Sequence, residues 1–295
     1  MLVPVATPFD PGLAPDVDAF VAHCRWLLEQ GADGLAVFGT TSEATSLGVD
    51  ERIALLEALV AAGIPAARLM PGTGTCALGD SVRLTAHAVG LGCGGVLMLP
   101  PFYYKGVGEE GLYASFAEVI ERVGDARLRL YLYHIPPVAQ VGIPLTVLAR
   151  LCAAYPQALA GIKDSSGDWA HTARLLAEFP QLAVFPGSEA FLLDGLRHGG
   201  AGCITATGNV NPAGIRAVFA QWQSAGAEAL QERAGAVRRS VQAYPLIAAV
   251  KALLARIHAA PGWARVRPPL EALPQQRVAA LCAEAAAAGL ELPPG

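Results

Sequence analysis

Short apolar runs at residues 2–6, 34–38, 68–71, 95–99, 128–133, 159–163, 183–185 and 202–205 alternate with amphipathic stretches as far as about residue 224. Strands covered on both faces lose the apolar-polar alternation of a half-exposed sheet and show such continuous runs. The intervening stretches have helical spacing, for example 17–30 and 50–62, where Ile53, Leu56, Leu59 and Val60 fall on one face. Eight strand-helix units in succession point to a closed (β/α)8 barrel. An open doubly wound sheet usually has fewer units and a glycine-rich phosphate fingerprint after its first strand, and no GxGxxG follows residues 2–6. Beyond this rhythm, residues 226–291 are alanine-rich and resolve into two or three more helices broken at Pro245, Pro261, Pro268-Pro269 and Pro274. The expected architecture is α/β: a (β/α)8 TIM barrel over residues 1–224, with a helical extension over 225–295 packed on it.

Composition narrows the function classes. Apolar residues make up 53% and charged residues 16% of the chain, which suits a large core and excludes a disordered protein. The formal charge is −4 with no basic block, so the electrostatic footprint of a nucleic-acid binder is missing. No basic segment precedes a long apolar stretch at the N-terminus, and no apolar run reaches about 18 residues, so a cytoplasmic location without membrane contact is expected. The six cysteines lack CxxC spacing and the six histidines form no HxxxH or HExxH pattern, so no metal is expected.

Only three lysines occur, against eighteen arginines, and one of them, Lys163, ends the apolar run 159–163. Burial disfavours the charged form of an amine, and a free amine attacks carbonyl carbons. The plainer alternatives are a lysine paired with Asp164 or Asp168 at a strand end, or one that holds a substrate phosphate. Active sites of such barrels lie at the C-terminal strand ends, which directs attention to the residues that finish each run. After 34–38 comes Gly39-Thr40-Thr41-Ser42-Glu43, either a nest of backbone N–H groups for a small carboxylate or an ordinary loop with a helix cap. The run 128–133 finishes Tyr131-Leu132-Tyr133 before His134-Ile135-Pro136. Neighbouring strands lie about 4.8 Å apart, which puts the Tyr133 phenol near the Lys163 amine. A phenol there can shuttle protons, or it can merely cap the core. Gly72-Thr73-Gly74 is compatible with close approach to a ligand or with a plain turn, and Pro101-Phe102-Tyr103-Tyr104 with a site or a subunit contact.

Taken together, GTTSE at 39–43, PFYYKG at 101–106, YHIP at 133–136 and GIKDSSGD at 161–168 are familiar. With the opening Thr7-Pro8-Phe9 and the run Gly202-Cys203-Ile204-Thr205, they appear in the right order over nearly the whole chain. The chain resembles the dihydrodipicolinate synthase and N-acetylneuraminate lyase family of Schiff-base-forming class I pyruvate aldolases. The resemblance implies a barrel with C-terminal helices, a homotetramer built from two tight dimers, and a Schiff base between Lys163 and pyruvate or another 2-keto acid. It implies Tyr133 as the proton-shuttling phenol and Thr40 as its hydroxyl relay. Tyr103 is the third relay member, lent by the neighbouring subunit, with Tyr104 as its rival. Thr41 and the backbone of its loop would hold the pyruvate carboxylate, and Ile204 would line the pocket beside the imine. No cofactor is implied beyond the covalent imine on Lys163.

Departures from the family pattern bear on the substrate. Members that make dihydrodipicolinate carry an arginine two residues beyond the YNVP proline, and here that position is Val138. Sialic acid lyases carry an Asp-Glu pair where this chain has Ser188-Glu189. Ser42 stands for the usual glycine and His134 for the usual asparagine. A second substrate carboxylate has no cationic partner at Val138, whereas hydroxyls could be met by Ser42, Ser165, Ser166, Ser188, Glu189 and His134. The expectation is a lyase that cleaves or reversibly forms a 2-keto-3-deoxy sugar acid, with pyruvate and a hydroxyaldehyde as partners. The alternatives are a dehydratase acting on a similar acid through the same imine, dihydrodipicolinate synthase itself, and a non-catalytic keto-acid-binding barrel.

Overall fold

The computed structural model describes residues 1–293; the last two positions of the expected extension, Pro294 and Gly295, lie outside the described residues. Six runs form parallel ladders: β1 (Leu2–Val3), β2 (Gly34–Leu35), β3 (Val96–Met98), β4 (Leu130–His134), β5 (Leu159–Asp164) and β6 (Ala183–Pro186). β1 pairs with β2, and β3 to β6 pair in chain order. The expected strands at 68–71 and 202–205 contribute single parallel bridges instead, Leu35 to Leu69, Gly72 to Leu97 and Leu2 to Ile204. With the Ile204 N–H donating to the Pro186 carbonyl at 3.1 Å, these bridges close an eight-segment ring. The ladders on the β1–β2 side are shorter than the apolar runs because the chain leaves extended geometry early: Phe38 sits at φ 60° and Glu43 at φ 56°. Gly72 allows this, since a Cβ there would overlap the Phe38 carbonyl. Its partner Gly74 lies equally close to the Leu99 backbone, so both glycines serve close approach of neighbouring strands.

Period two divides the strands between two cores. Leu130, Leu132 and Ile162 face outward into the layer shared with the helices, while Tyr131, Tyr133, Phe185 and Ile204 fill the barrel interior. Helices α1 (Val17–Glu29), α2 (Val49–Ala61), α3 (Leu78–Gly90), α4 (Glu109–Val123), a single turn α5 (Pro136–Ala139), α6 (Leu145–Ala154), α7 (Trp169–Glu178), α8 (Leu192–Arg197) and α9 (Pro212–Gln221) surround the ring. In α2 the buried face runs through Arg52, Leu55, Leu56 and Leu59, so Ile53 and Val60 flank the expected stripe.

Three further helices follow: α10 (Ala227–Gln242), α11 (Leu246–Ile257) and α12 (Gln275–Ala287). Pro245 and Pro274 stand at the N-caps of α11 and α12, where a missing N–H does no harm. The three helices share a second apolar core that reaches the barrel through Ala6 and Val210. Among the described residues no single helix is long and apolar enough to cross a membrane.

Candidate active site

β4 and β5 set the centre of the site by their register. Tyr133 lies opposite Lys163, and both point into the barrel. Lys163 is only 4% exposed, and its Nζ lies 4.1 Å from the centroid of the Tyr133 ring. The Tyr133 hydroxyl in turn meets the Thr40 Oγ1 at 3.2 Å. Amine, phenol and hydroxyl thus form a chain across three strand ends. They face a cavity of about 660 Å³ whose wall also includes Thr41, Ser165, Ser188 and Arg238.

The loop after β2 is built by its own backbone. The N–H groups of Ser42, Glu43 and Ala44 donate to carbonyls of Gly39 and Thr40 within the turn. The expected N–H nest therefore narrows to Thr40 and Thr41, the two residues of the turn that line the cavity. Ser42 is fully buried: its Oγ donates to the Val5 carbonyl at 2.5 Å and accepts the Gly39 N–H at 3.2 Å. Its hydroxyl locks the turn to the first strand segment and lies away from the cavity.

Other expected site residues are distributed as follows. Ser165 is on the cavity wall, whereas Ile204 is fully buried in the inner core cluster with Phe185 and Tyr133 and is not part of the wall. His134 has the opposite parity to Tyr133 and so points out of the barrel. Its Nδ1 accepts the Ile143 N–H at 2.9 Å and its ring stacks on His171 at 4.5 Å. Burial lowers the His134 pKa to about 4, against a smaller raising effect of Asp164. Glu189 is also fully buried, accepting hydroxyl donors from Thr205 and Thr207 and facing the Arg238 guanidinium at 3.7 Å. Tyr103 and Tyr104 are 74% and 70% exposed and touch each other edge to face, away from the cavity of their own chain. Lys105 fixes their loop by donating to the carbonyls of Phe102 and Ala139.

Arg238 is a cavity residue that the sequence reading missed. It lies on the inner stripe of α10 with Ala234, Val237 and Val241, and helical spacing could have singled it out. Its charge is met by Glu189, and its Nη1 also donates to the Thr205 hydroxyl at 3.3 Å. Val138 is 62% exposed at the rim, so the position after the YHIP turn adds no charge.

Sequence and structure comparisons place the fold among known proteins. Residues 1–288 match the model of the dihydrodipicolinate synthetase family. An uncharacterized DapA-like lyase of Chloroflexus aurantiacus is 38% identical over 277 residues, covering 93% of this chain and 92% of the relative. The crystal structure of dihydrodipicolinate synthase from Agrobacterium tumefaciens superposes with a TM-score of 0.91 at 33% identity, covering 98% of this chain and 99% of that one. The crystal structure of KD(P)GA from T. tenax shares the fold with a TM-score of 0.86 at 23% identity, covering 98% of each chain. A whole-chain family match and relatives of this similarity make the protein a lyase of the class I aldolase type and a member of the dihydrodipicolinate synthetase family.

Proposed function

We propose that the enzyme cleaves, or reversibly forms, a 2-keto-3-deoxy sugar acid through an imine on Lys163, with pyruvate as one product. The observation that carries this reading is the in-register pair of Lys163 and Tyr133, with Thr40 on the phenol, in one cavity. The Lys163 amine adds to the C2 carbonyl and water leaves, giving a protonated imine. The Tyr133 oxygen takes the proton of the C4 hydroxyl, the C3–C4 electrons move into the imine, and an aldehyde departs. The enamine takes a proton at C3, and hydrolysis then returns the free amine and pyruvate. Thr40 gives the phenol a hydroxyl through which its proton can be relayed. The N–H groups of Thr40 and Thr41, with the Thr41 hydroxyl, suit the substrate carboxylate. The proposed chemistry calls for no cofactor beyond the lysine.

The far end of the cavity supports a neutral, hydroxylated tail. Ser165 and Ser188 lie on its wall, and Arg238, which with Lys163 supplies the basic side chains of the cavity lining among the described residues, already faces the buried Glu189. Ser42, His134 and Glu189 drop out of the expected hydroxyl-binding set, because each hydrogen-bonds within the scaffold instead. Borohydride reduction in the presence of pyruvate, followed by mass spectrometry, should leave a pyruvate-derived adduct on the peptide that carries Lys163. Product analysis on a panel of five- and six-carbon 2-keto-3-deoxyaldonates should then release pyruvate. Water loss without pyruvate would select the dehydratase, and fastest condensation of pyruvate with aspartate semialdehyde would select dihydrodipicolinate synthase.

A further inference from the structure

Directly behind the two central side chains, on the outer face of the barrel, lies a cluster the proposed chemistry does not use. The residue after Tyr133 is His134 and the residue after Lys163 is Asp164; they lie opposite each other in the β4–β5 register. From α7, His171 reaches both. Its Nδ1 lies 3.1 Å from the Asp164 Oδ2, and its ring lies nearly parallel to that of His134, at 14° and 4.5 Å. Asp164 is 3% exposed and fully engaged: Oδ2 also accepts the Thr172 hydroxyl at 2.6 Å, and Oδ1 accepts the Ser166 N–H at 2.9 Å. The backbone joins in, since the Ser165 N–H donates to the His134 carbonyl at 2.7 Å and the Gly187 N–H to the Asp164 carbonyl at 2.6 Å.

Two histidines and a carboxylate this close raise the question of a metal, and the hydrogen bonds argue against one. The Ile143 N–H fixes the His134 Nδ1 as an acceptor, so the neutral ring carries its proton on Nε2, the nitrogen left to face a metal. The Asp164 oxygens are likewise occupied by donors. The same contacts suit a neutral His134 stacked on a His171 that donates to Asp164. Burial lowers the His134 pKa to about 4, whereas the Asp164 hydrogen bond raises that of His171 against the lowering effect of burial, with Asp168 adding to the rise and Arg174 opposing it.

We propose that His171 is a positioning residue for the Lys163–Tyr133 pair, tying together the two strand ends that carry these side chains through Asp164 and His134. The mechanical argument is short. Each strand end extends past its ladder into a loop, and a small shift between β4 and β5 would separate phenol from amine on the inner face. Misplacement of reacting groups by about 1 Å can cost roughly 10²-fold in rate. The catalytic consequence rests on the imine reading above, while the positional claim does not.

The experiment compares His171→Phe, which keeps a stacking ring but cannot hydrogen-bond, with His171→Asn, which can still donate to Asp164. Two readouts are taken on the intact protein: the rate of borohydride trapping as pyruvate is varied, and hydrogen exchange at the Ser165 and Gly187 amides. His171→Phe should trap at least about tenfold more slowly at saturating pyruvate, with half-saturation changed less than about threefold, and its two amides should exchange faster by a similar factor. His171→Asn should recover both to within about threefold of wild type. Wild-type trapping and exchange in His171→Phe would overturn the proposal, as would an Asn variant no better than Phe. A wild-type protein that traps no pyruvate would sink the imine reading alone, and amide exchange would then decide the positional claim. Stabilisation by added Zn²⁺ that is lost in His171→Phe would replace the positioning role with a metal site.

Discussion

At the residue scale the site follows from period two and from a charge where none is expected. A lysine at the end of an apolar run stands out in the sequence, and its neighbour across the ladder follows from strand order. Lys163→Ala should therefore abolish borohydride trapping while circular dichroism stays native; near-normal turnover would refute the Schiff base. Tyr133→Phe should lower turnover by roughly 10²–10⁴-fold, the usual loss for a general acid-base group, and an effect under about threefold would make the phenol a packing residue. The same parity explains what the sequence reading misassigned. His134 follows Tyr133 and must face the other way, a conclusion that its polar character obscured. Ser42 could not have been placed from sequence, because its fate depends on a turn with positive φ on both sides, at Phe38 and Glu43.

At the scale of elements, the C-terminal helices do more than cover the barrel. Lys251 of α11 is fully buried and pairs with the equally buried Glu43 at 2.5 Å, directly after the Thr40–Thr41 turn. The second Glu43 oxygen accepts the Arg267 N–H at 2.8 Å, and the Lys251 Nζ and the Arg267 guanidinium lie 4.2 Å and 4.7 Å from the Phe9 ring centroid. Lys251 was legible by the rule that found Lys163, a lysine inside an apolar run, yet only the fold shows its partner. Removing one member of a buried pair strands the other charge, so Lys251→Met should destabilise the protein by about 3–5 kcal/mol, and Glu43→Gln in the same chain should recover part of the loss. Urea unfolding of the single and double variants measures this; equal midpoints for Lys251→Met and wild type would show that the pair contributes nothing. A second link joins α1 to α11. The His23 Nε2 meets the Asn209 Oδ1 at 3.1 Å and its Nδ1 meets the His258 Nε2 at 2.9 Å, with the His23 ring itself buried. Burial first, then His258, lowers the His23 pKa to about 3, against a raising hydrogen bond from Asn209. The unfolded chain takes up this proton near pH ~6.5 and the folded one does not, so stability falls as pH drops from there toward 3. His23→Gln should flatten that part of a Tm-versus-pH curve, and an unchanged slope would assign the acid sensitivity to other groups.

For the whole molecule, the barrel was legible because parallel strands covered on both faces leave continuous apolar runs, whereas Arg238 and Lys251 join the barrel only through packing across much of the chain. The remaining question at this scale is assembly. One chain supplies Lys163, Tyr133 and Thr40 to a single cavity, but it directs Tyr103 and Tyr104 outward on a loop whose base is fixed by Lys105. Two adjacent, largely exposed tyrosines on an anchored loop are a surface that binding would cover, since aromatic side chains are enriched in protein interfaces. If Tyr103 completes the relay of a neighbouring copy, the protein should sediment as an oligomer, most simply a tetramer, and Tyr103→Phe should reduce turnover. Mixing then separates a shared site from a merely adhesive one. A catalytically dead Lys163→Ala chain still carries Tyr103, and a Tyr103→Phe chain still carries Lys163, so hybrids formed by dissociating and reassociating the two should regain part of the activity that each lacks. An active monomer at micromolar concentration, or hybrids no better than the parent variants, would remove Tyr103 from the site and leave Thr40 as the only relay partner of Tyr133.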